Sequence, residues 1–197
     1  YKDRRLLDIG GGKGEFASYM SLKGWDVVMQ DQMLENVYSA KNYTYEYIKD
    51  INEIDKKEYF DVITLWHSLE HIHNIQNLFK NINRVLISEG ILLIAVPNFQ
   101  APERKAFGSK WAAFDVPRHL YHFNPDSLKR LCNKYNFQII RKYSLFQDTP
   151  YNILLSMTKN SVFQIFKGLL VCLYSIFKTI IGGPSYSSSF IVICRRS

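Results

Sequence analysis

A short apolar run, Arg5 to Ile9, ends in Gly10-Gly11-Gly12-Lys13-Gly14, and a stretch of helical character follows from Glu15 to Lys23, closed by Gly24. Closely spaced glycines between a strand and a helix allow a tight turn and let a ligand approach the backbone, where the helix start offers free N–H groups. The chain therefore opens on a strand–loop–helix unit with a nucleotide-type ligand expected at the turn. The spacing narrows the choice. A dinucleotide loop, GxGxxG, would place its third glycine at position 15, which is Glu15; the observed pattern is GxGxG, at Gly10, Gly12 and Gly14. A carboxylate at position 15 also disfavours a pyrophosphate.

The rhythm continues downstream. Further strands are predicted at Trp25–Gln30, Thr44–Ile48, Phe60–Leu65 and Ile91–Val96, the last opened by Gly90 and stopped by Pro97. Asn74–Ser88 carries Ile75, Leu78, Phe79, Ile82, Val85 and Leu86 at helical spacing. Residues 97–117 form a long loop bearing aromatics. Asn124-Pro125-Asp126 opens a helix to about Tyr135, with the cap and the first-turn proline in their preferred places. Phe137–Ser144 and Ser188–Arg195 complete seven strands. Alternating strands and helices of these lengths imply an α/β fold, a doubly wound, mostly parallel seven-stranded sheet with right-handed crossovers. One domain over residues 1–197 is expected, with an apolar helical insertion at about 150–183 before the last strand.

Composition excludes some classes. At 47% hydrophobic and 15% aromatic residues, 197 residues suffice for a core, so disorder is excluded. Cys132, Cys172 and Cys194 are scattered, without a CxxC, so neither a disulfide framework nor a zinc knuckle is indicated, and a reducing cytoplasm is the expected compartment. No cleavable N-terminal signal is visible. The net charge is +7, and no Asp or Glu follows Asp148, whereas Lys159, Lys167, Lys178, Arg195 and Arg196 do. A basic balance raises the question of nucleic acid.

LLDIGGGKGEF resembles the glycine-rich first motif of class I S-adenosylmethionine-dependent methyltransferases: an acidic residue, a hydrophobic one, then GxGxG. The resemblance makes S-adenosylmethionine the cofactor, a molecule without a phosphate to neutralise. It assigns Asp8, Gly10, Gly11, Gly12 and Gly14 to the loop around the methionine moiety. Asp31, 21 residues after Gly10 and followed by Gln32, takes the ribose hydroxyls; Asp50 and the N–H of Ile51 take the adenine. FDVITLWHSLEHI resembles the family's fourth strand and its loop, which puts Trp66 and His67 near the methyl group. VPN at Val96–Asn98 and DVPRHLYHFNPDSLKRLC at Asp115–Cys132 are similar to a small-molecule subgroup close to ubiquinone-biosynthesis O-methyltransferases. The likeness spans residues 4 to about 144 and implies a small-molecule methyl acceptor. The (D/N/S)PPY-type base-flipping motif is missing, with Trp66-His67-Ser68-Leu69 in its place, so a nucleic-acid substrate is not expected.

Methyl transfer from a sulfonium is an in-line displacement that needs alignment and exclusion of water, and a phenol or enol acceptor benefits from a base. His119 and His122 are the candidates for that base, and Trp111, Phe114 and Arg118 for the walls of the acceptor pocket. His67-Ser68-Leu69-Glu70-His71 matches the HxxEH zinc pattern, but the segment leaves a strand directly instead of lying on a long helix, and no metal is expected. The alternatives are a non-catalytic cofactor-binding or membrane-associated module on the same fold and an NAD-type oxidoreductase, which the misplaced third glycine disfavours.

Val162–Ile181 is long and apolar enough to suggest a membrane span, yet the strand after it has to rejoin the sheet. On a helical wheel Gln164, Lys167, Gly168, Ser175, Lys178 and Thr179 share one face, leaving an apolar arc of about 200°. With a shorter companion helix at Tyr151–Thr158, the expectation is a lid over the acceptor pocket or a homodimer seam, with peripheral membrane contact as the other outcome.

Overall fold

The computed structural model describes residues 3–32, 45–157 and 161–196. Strands β1 (Arg5–Ile9), β2 (Asp26–Gln30), β3 (Glu46–Ile48), β4 (Phe60–Trp66), β5 (Leu86–Pro97), β6 (Phe137–Leu145) and β7 (Ser189–Arg196) form one sheet in the order β3-β2-β1-β4-β5-β7-β6. Pairing is parallel from β3 through β5, and β7 runs antiparallel to both β5 and β6. The mostly parallel, seven-stranded α/β sheet is the one expected.

Among the described residues six helices accompany it: α1 (Glu15–Leu22), α2 (Ile75–Val85), α3 (Pro102–Phe107), α4 (Pro125–Lys134), α5 (Asp148–Ser156) and α6 (Val162–Gly182). β1 shows why both faces of the sheet are covered. Leu6 packs with Ala17 of α1 and with Val27 and Met29, whereas Leu7 and Ile9 point into the larger cluster with Phe79 and Ile82 of α2. A strand buried on both faces reads as an apolar run without alternation, which is what the sequence shows. Helix α2 is capped by Asn74, whose side chain accepts from the Asn77 N–H at 2.9 Å. Its fully buried Phe79 stacks on Tyr135 at 4.7 Å and meets the edge of Phe137 at 6.0 Å. Burial of such a ring contributes about 1.5–3 kcal/mol. Asn124 caps α4 by accepting from the Ser127 N–H at 2.8 Å, with Pro125 in the first turn.

Several boundaries differ from the sequence pattern for tertiary reasons. The helix expected to reach Ser88 stops at Val85, and β5 starts at Leu86 instead of Ile91, because Phe60 pairs with Leu86 and the Tyr59 N–H donates to the Val85 carbonyl. Residues 97–117 are not a plain loop: Pro102, free of any need to donate, starts α3, and 3₁₀ turns follow at Gly108–Lys110 and Ala112–Phe114. β3 begins at Glu46, and Thr44, expected at its start, lies outside the described residues. The companion helix starts earlier, at Asp148, and Thr158, its expected end, also lies outside them.

Helix α6 packs through Val171 and Cys172 against the cluster that holds Trp111 and Phe114. Gly168, Ser175 and Thr179 are its buried residues. The Ser175 hydroxyl donates to Glu103 Oε2 at 3.1 Å, and Lys167 Nζ donates to the Ala106 carbonyl at 3.2 Å. At Gly168 a Cβ would stand 2.6 Å from Met157 Sδ, so the missing side chain sets the close approach beside α5. The polar and small face packs inward, and the apolar arc faces outward.

Candidate active site

The sheet order lines up the carboxyl ends of β3, β2, β1 and β4, and every residue assigned to the cofactor leaves one of those four ends. Ligands of open α/β sheets bind along this edge. At β1 the backbone turns through Gly10 (φ 71°) and Gly12 (φ 56°), a left-handed conformation that side chains rarely adopt. The Gly10 and Gly11 N–H groups donate to the Gln30 carbonyl at 2.7 and 3.2 Å, and the Gly12 N–H donates to Asp31 Oδ2 at 2.8 Å. The loop of β1 is thereby sewn to the end of β2. From β4, the Ser68 hydroxyl donates to the Ile9 carbonyl at 2.8 Å, and a Cβ on Gly10 would overlap Ser68. A Cβ on Gly12, by contrast, would meet nothing within 4 Å among the described residues.

Asp8 lies under the loop, 1% exposed, and accepts from the Thr64 hydroxyl at 2.7 Å. Burial pushes its carboxyl up to about 6 from an ordinary 3.8, with the Thr64 bond opposing and the Asp31 charge assisting. The unfolded chain therefore ionises first, so protonated Asp8 favours the fold at low pH and that contribution is lost as pH rises from about 4 to 6. The unfolding free energy of the parent relative to Asp8→Asn should fall over that window by about 2–3 kcal/mol, measured by urea denaturation. A flat difference would show that Asp8 ionises as freely as in water.

The ends of β3 and β4 supply the rest. Asp50 is exposed and caps a 3₁₀ turn at Ile51–Glu53, accepting from the Asn52 N–H at 2.8 Å, while its own N–H donates to Glu53 Oε1 at 2.6 Å. Ile51 is buried, and Gln32 is exposed beside Asp31. Trp66 meets the edge of Phe16 at 5.3 Å, just past the glycine loop, and its buried Nε1 has no hydrogen-bond partner among the described residues. His67 has φ 49° and stands between two carboxylates: Nδ1 is 3.5 Å from Glu70 Oε1 and Nε2 is 3.2 Å from Asp148 Oδ2. Burial alone would lower its pKa, but the hydrogen bonds and charges of Asp148 and Glu70 outweigh this and raise it to about 9. His67 is an imidazolium at neutral pH, so it cannot take up a proton there.

A second loop closes on the first. The Leu120 and Tyr121 N–H groups donate to the Glu70 carbonyl, and His71 Nδ1 lies 2.9 Å from the Arg118 carbonyl. His119 is nearly buried, with Nδ1 2.9 Å from the Ala113 carbonyl and Nε2 3.9 Å from Asp115 Oδ2. A ring that donates through Nδ1 keeps its lone pair on Nε2. His122 Nε2 lies 3.2 Å from the Phe114 carbonyl, and its ring is wedged between Phe99 and Phe114. The expected pocket residues divide. Phe114 belongs to this aromatic cluster. Trp111 is 2% exposed and packs with Ala101, Phe107 and Ile153, so its ring is core and not open wall. Arg118 points to solvent, its guanidinium on Asp115 at 2.9 Å. Instead of a long HxxEH helix there is a three-residue 3₁₀ turn, Leu69–His71, with His67 directed to Asp148 and His71 to the second loop. Glu70, His71 and His119 offer ligand-type atoms within 4.8 Å of one another.

Thr64, Ser68, Glu53 and Asp148 hold Asp8, the glycine loop, Asp50 and His67 in place, roles that the sequence alone does not assign. Thr64 and Ser68 are 56 and 59 residues from their partners, and their place in FDVITLWHSLEHI does not show which groups they bond.

A family model described as "Methyltransferase domain" matches residues 2–142. The chain belongs to this methyltransferase family. The ubiquinone biosynthesis O-methyltransferase of Rickettsia bellii is 28% identical over 103 residues, which cover 49% of this chain and 43% of that protein. The chain thus spans less than half the length of the curated relatives it matches. Among solved structures, a SAM-dependent methyltransferase from Archaeoglobus fulgidus aligns with TM-score 0.64 and 16% identity over 98% of this chain and 86% of its own. Phosphoethanolamine N-methyltransferase 2 of Haemonchus contortus, in complex with S-adenosylhomocysteine, aligns with TM-score 0.66 and 20% identity over 98% of this chain and 49% of its own. These likenesses share the fold of the methyltransferase domain described above.

Proposed function

We propose that this chain, as a single methyltransferase domain, transfers the methyl group of S-adenosylmethionine to a small, apolar acceptor at oxygen. The observation that carries the reading is the row of Asp50, Asp31, the glycine loop and Asp8 along one sheet edge, with open space over Gly12. The residues suit the cofactor. Asp31, anchored by the Gly12 N–H, offers its carboxylate to the ribose hydroxyls; Asp50 and the Ile51 N–H face the adenine; Asp8 and the loop backbone hold the methionine part. The buried Nε1 of Trp66 has no acceptor among the described residues, which suits a ligand that offers one. When bound, S-adenosylmethionine supplies an electrophilic methyl on a sulfonium.

The second loop serves the acceptor. His119 Nε2 takes the hydroxyl proton, the Ala113 carbonyl fixes the ring, and Asp115 stabilises the imidazolium formed. His122 is the other candidate, its Nε2 held by the Phe114 carbonyl. Phe114 supports an apolar acceptor, with Trp111 behind it and Arg118 at the solvent rim. The choice of oxygen rests on the distant ubiquinone-biosynthesis relatives and on the presence of a base at all.

Two measurements test this. S-Adenosylhomocysteine should raise the melting temperature and NAD should not; stabilisation by NAD alone would overturn the cofactor. Labelled methyl transfer to a panel of simple phenols, amines and thiols should favour phenols. On the best phenol, His119→Gln is expected to lower kcat by about a hundredfold or more, with KM for S-adenosylmethionine unchanged. Full activity in His119→Gln would remove it as the base.

A further inference from the structure

Helix α6 carries a run of large apolar side chains that the fold leaves in the open. Phe163 is 74% exposed, and Phe166, Leu170, Leu173, Phe177 and Ile181 are all more than half exposed. Leu154 and Leu155 of α5, the helix packed beside α6, are also more than half exposed. Large apolar side chains exposed together along one helix mark an interaction surface. The helix is long and apolar enough to cross a membrane, and few of its residues are buried.

It does not cross a bilayer as the fold stands. Its inward face is bonded to α3 through Ser175–Glu103 and Lys167–Ala106, and the chain beyond it enters β7, paired to both β5 and β6. A helix whose polar side is bonded to a globular domain and whose apolar side faces out is arranged to lie along an interface. Charge decides between a membrane and a second copy. Lys167 and Lys178 border the apolar arc, and no Asp or Glu follows Asp148 in the chain. Beside the arc, a groove of about 630 Å³ between α3 and α6 is lined by Lys105 and Lys178 over Leu170, Tyr174 and Tyr186. Two copies joined through this face would bring lysines against lysines with no acid on α6 to pair them. Anionic headgroups would pair them, and long lysine stems reach from an apolar zone to that level.

We propose that the outward face of α5 and α6 beds into an anionic phospholipid leaflet, with Lys105 and Lys178 on its headgroups. The inference is independent of methyl transfer. The purified full chain should co-sediment with phosphatidylcholine vesicles containing phosphatidylglycerol. Binding should drop at least about tenfold with pure phosphatidylcholine, and similarly for Lys105→Glu/Lys178→Glu. Phe166→Glu/Leu173→Glu should abolish it; both side chains are exposed, and an unchanged circular dichroism spectrum checks the fold. As a readout that needs no loss of binding, a Phe177→Trp variant should have its fluorescence quenched by brominated lipid. Equal binding to neutral and anionic vesicles would overturn the role of the lysines. Absence of vesicle binding, with a dimer in light scattering that Phe166→Glu/Leu173→Glu dissociates, would assign the face to a second copy. An unquenched tryptophan on sedimenting protein would place the contact elsewhere.

Discussion

Gly12→Ala is expected to weaken S-adenosylhomocysteine binding at least about a hundredfold, roughly 2.7 kcal/mol, while the fold loses only about 1–2 kcal/mol. Gly12 has φ 56°, which gives the modest backbone cost, and no described residue lies within 4 Å of the new methyl. That open space is where the proposed cofactor passes closest to the backbone, so the methyl group obstructs the ligand and not the protein. Gly10→Ala provides the contrast. It shares the left-handed backbone (φ 71°), but its Cβ would overlap Ser68, whose hydroxyl bonds the Ile9 carbonyl. Stability there should fall by about 2–5 kcal/mol, combining backbone strain with an overpacked contact. Calorimetric titration and urea denaturation of both variants separate the two effects. Parent-like affinity in Gly12→Ala would mean that the ligand does not pass over this residue.

His67→Leu is expected to be the most destabilising change at the site, by about 3–5 kcal/mol. Without the imidazolium, Glu70, 1% exposed, and Asp148 lose the cation between them. The buried carboxylate of Glu70 would then be left uncompensated. For a chain of this length each kcal/mol shifts the melting temperature by about 2–4 °C, so a fall of roughly 10 °C is the thermal readout. Titration of the parent should trace the same pair. His67 has a pKa of about 9 against an ordinary 6.5, so its contribution is complete below 6.5 and is lost as pH rises through 9. With the side chain 38% exposed, solvent screening limits this loss to about 1–2 kcal/mol. The gap between parent and His67→Leu should accordingly narrow between about pH 6 and pH 9.5. A gap of equal size at both values would show that the ring acts by packing alone.

His67 also illustrates a limit of motif reading. The HxxEH spacing raises a metal, and the resemblance places the residue beside the methyl group, yet its geometry makes it a charged pin between the loop after β4 and the first residue of α5. Asp148 is invisible as a partner because nothing local distinguishes a carboxylate at a helix start from any other first-turn acid. Trp111 and Arg118 show the same limit. Aromatic and basic residues in a loop are equally compatible with a pocket wall, a core plug and a solvated ion pair; burial at 2% for one and a solvent-facing pair with Asp115 for the other separate these.

By itself the sequence determined the seven strands, the helices other than α3, the glycine turn and the acids that follow β2 and β3. These depend on short-range causes: apolar runs, caps, glycine spacing and the residues that end each strand. The start of β5 at Leu86, the bonds from Thr64 and Ser68 into the first loop and the ion pair of His67 with Asp148 required the folded chain, since each joins residues far apart in sequence. The orientation of α6 belongs to the same class. A helical wheel shows two faces but not which one meets the protein, and here Gly168, Ser175 and Thr179 pack inward because Met157 and Glu103 offer them a close contact and a buried hydrogen bond. That single rotation leaves the large apolar side chains of α6 on its outward face.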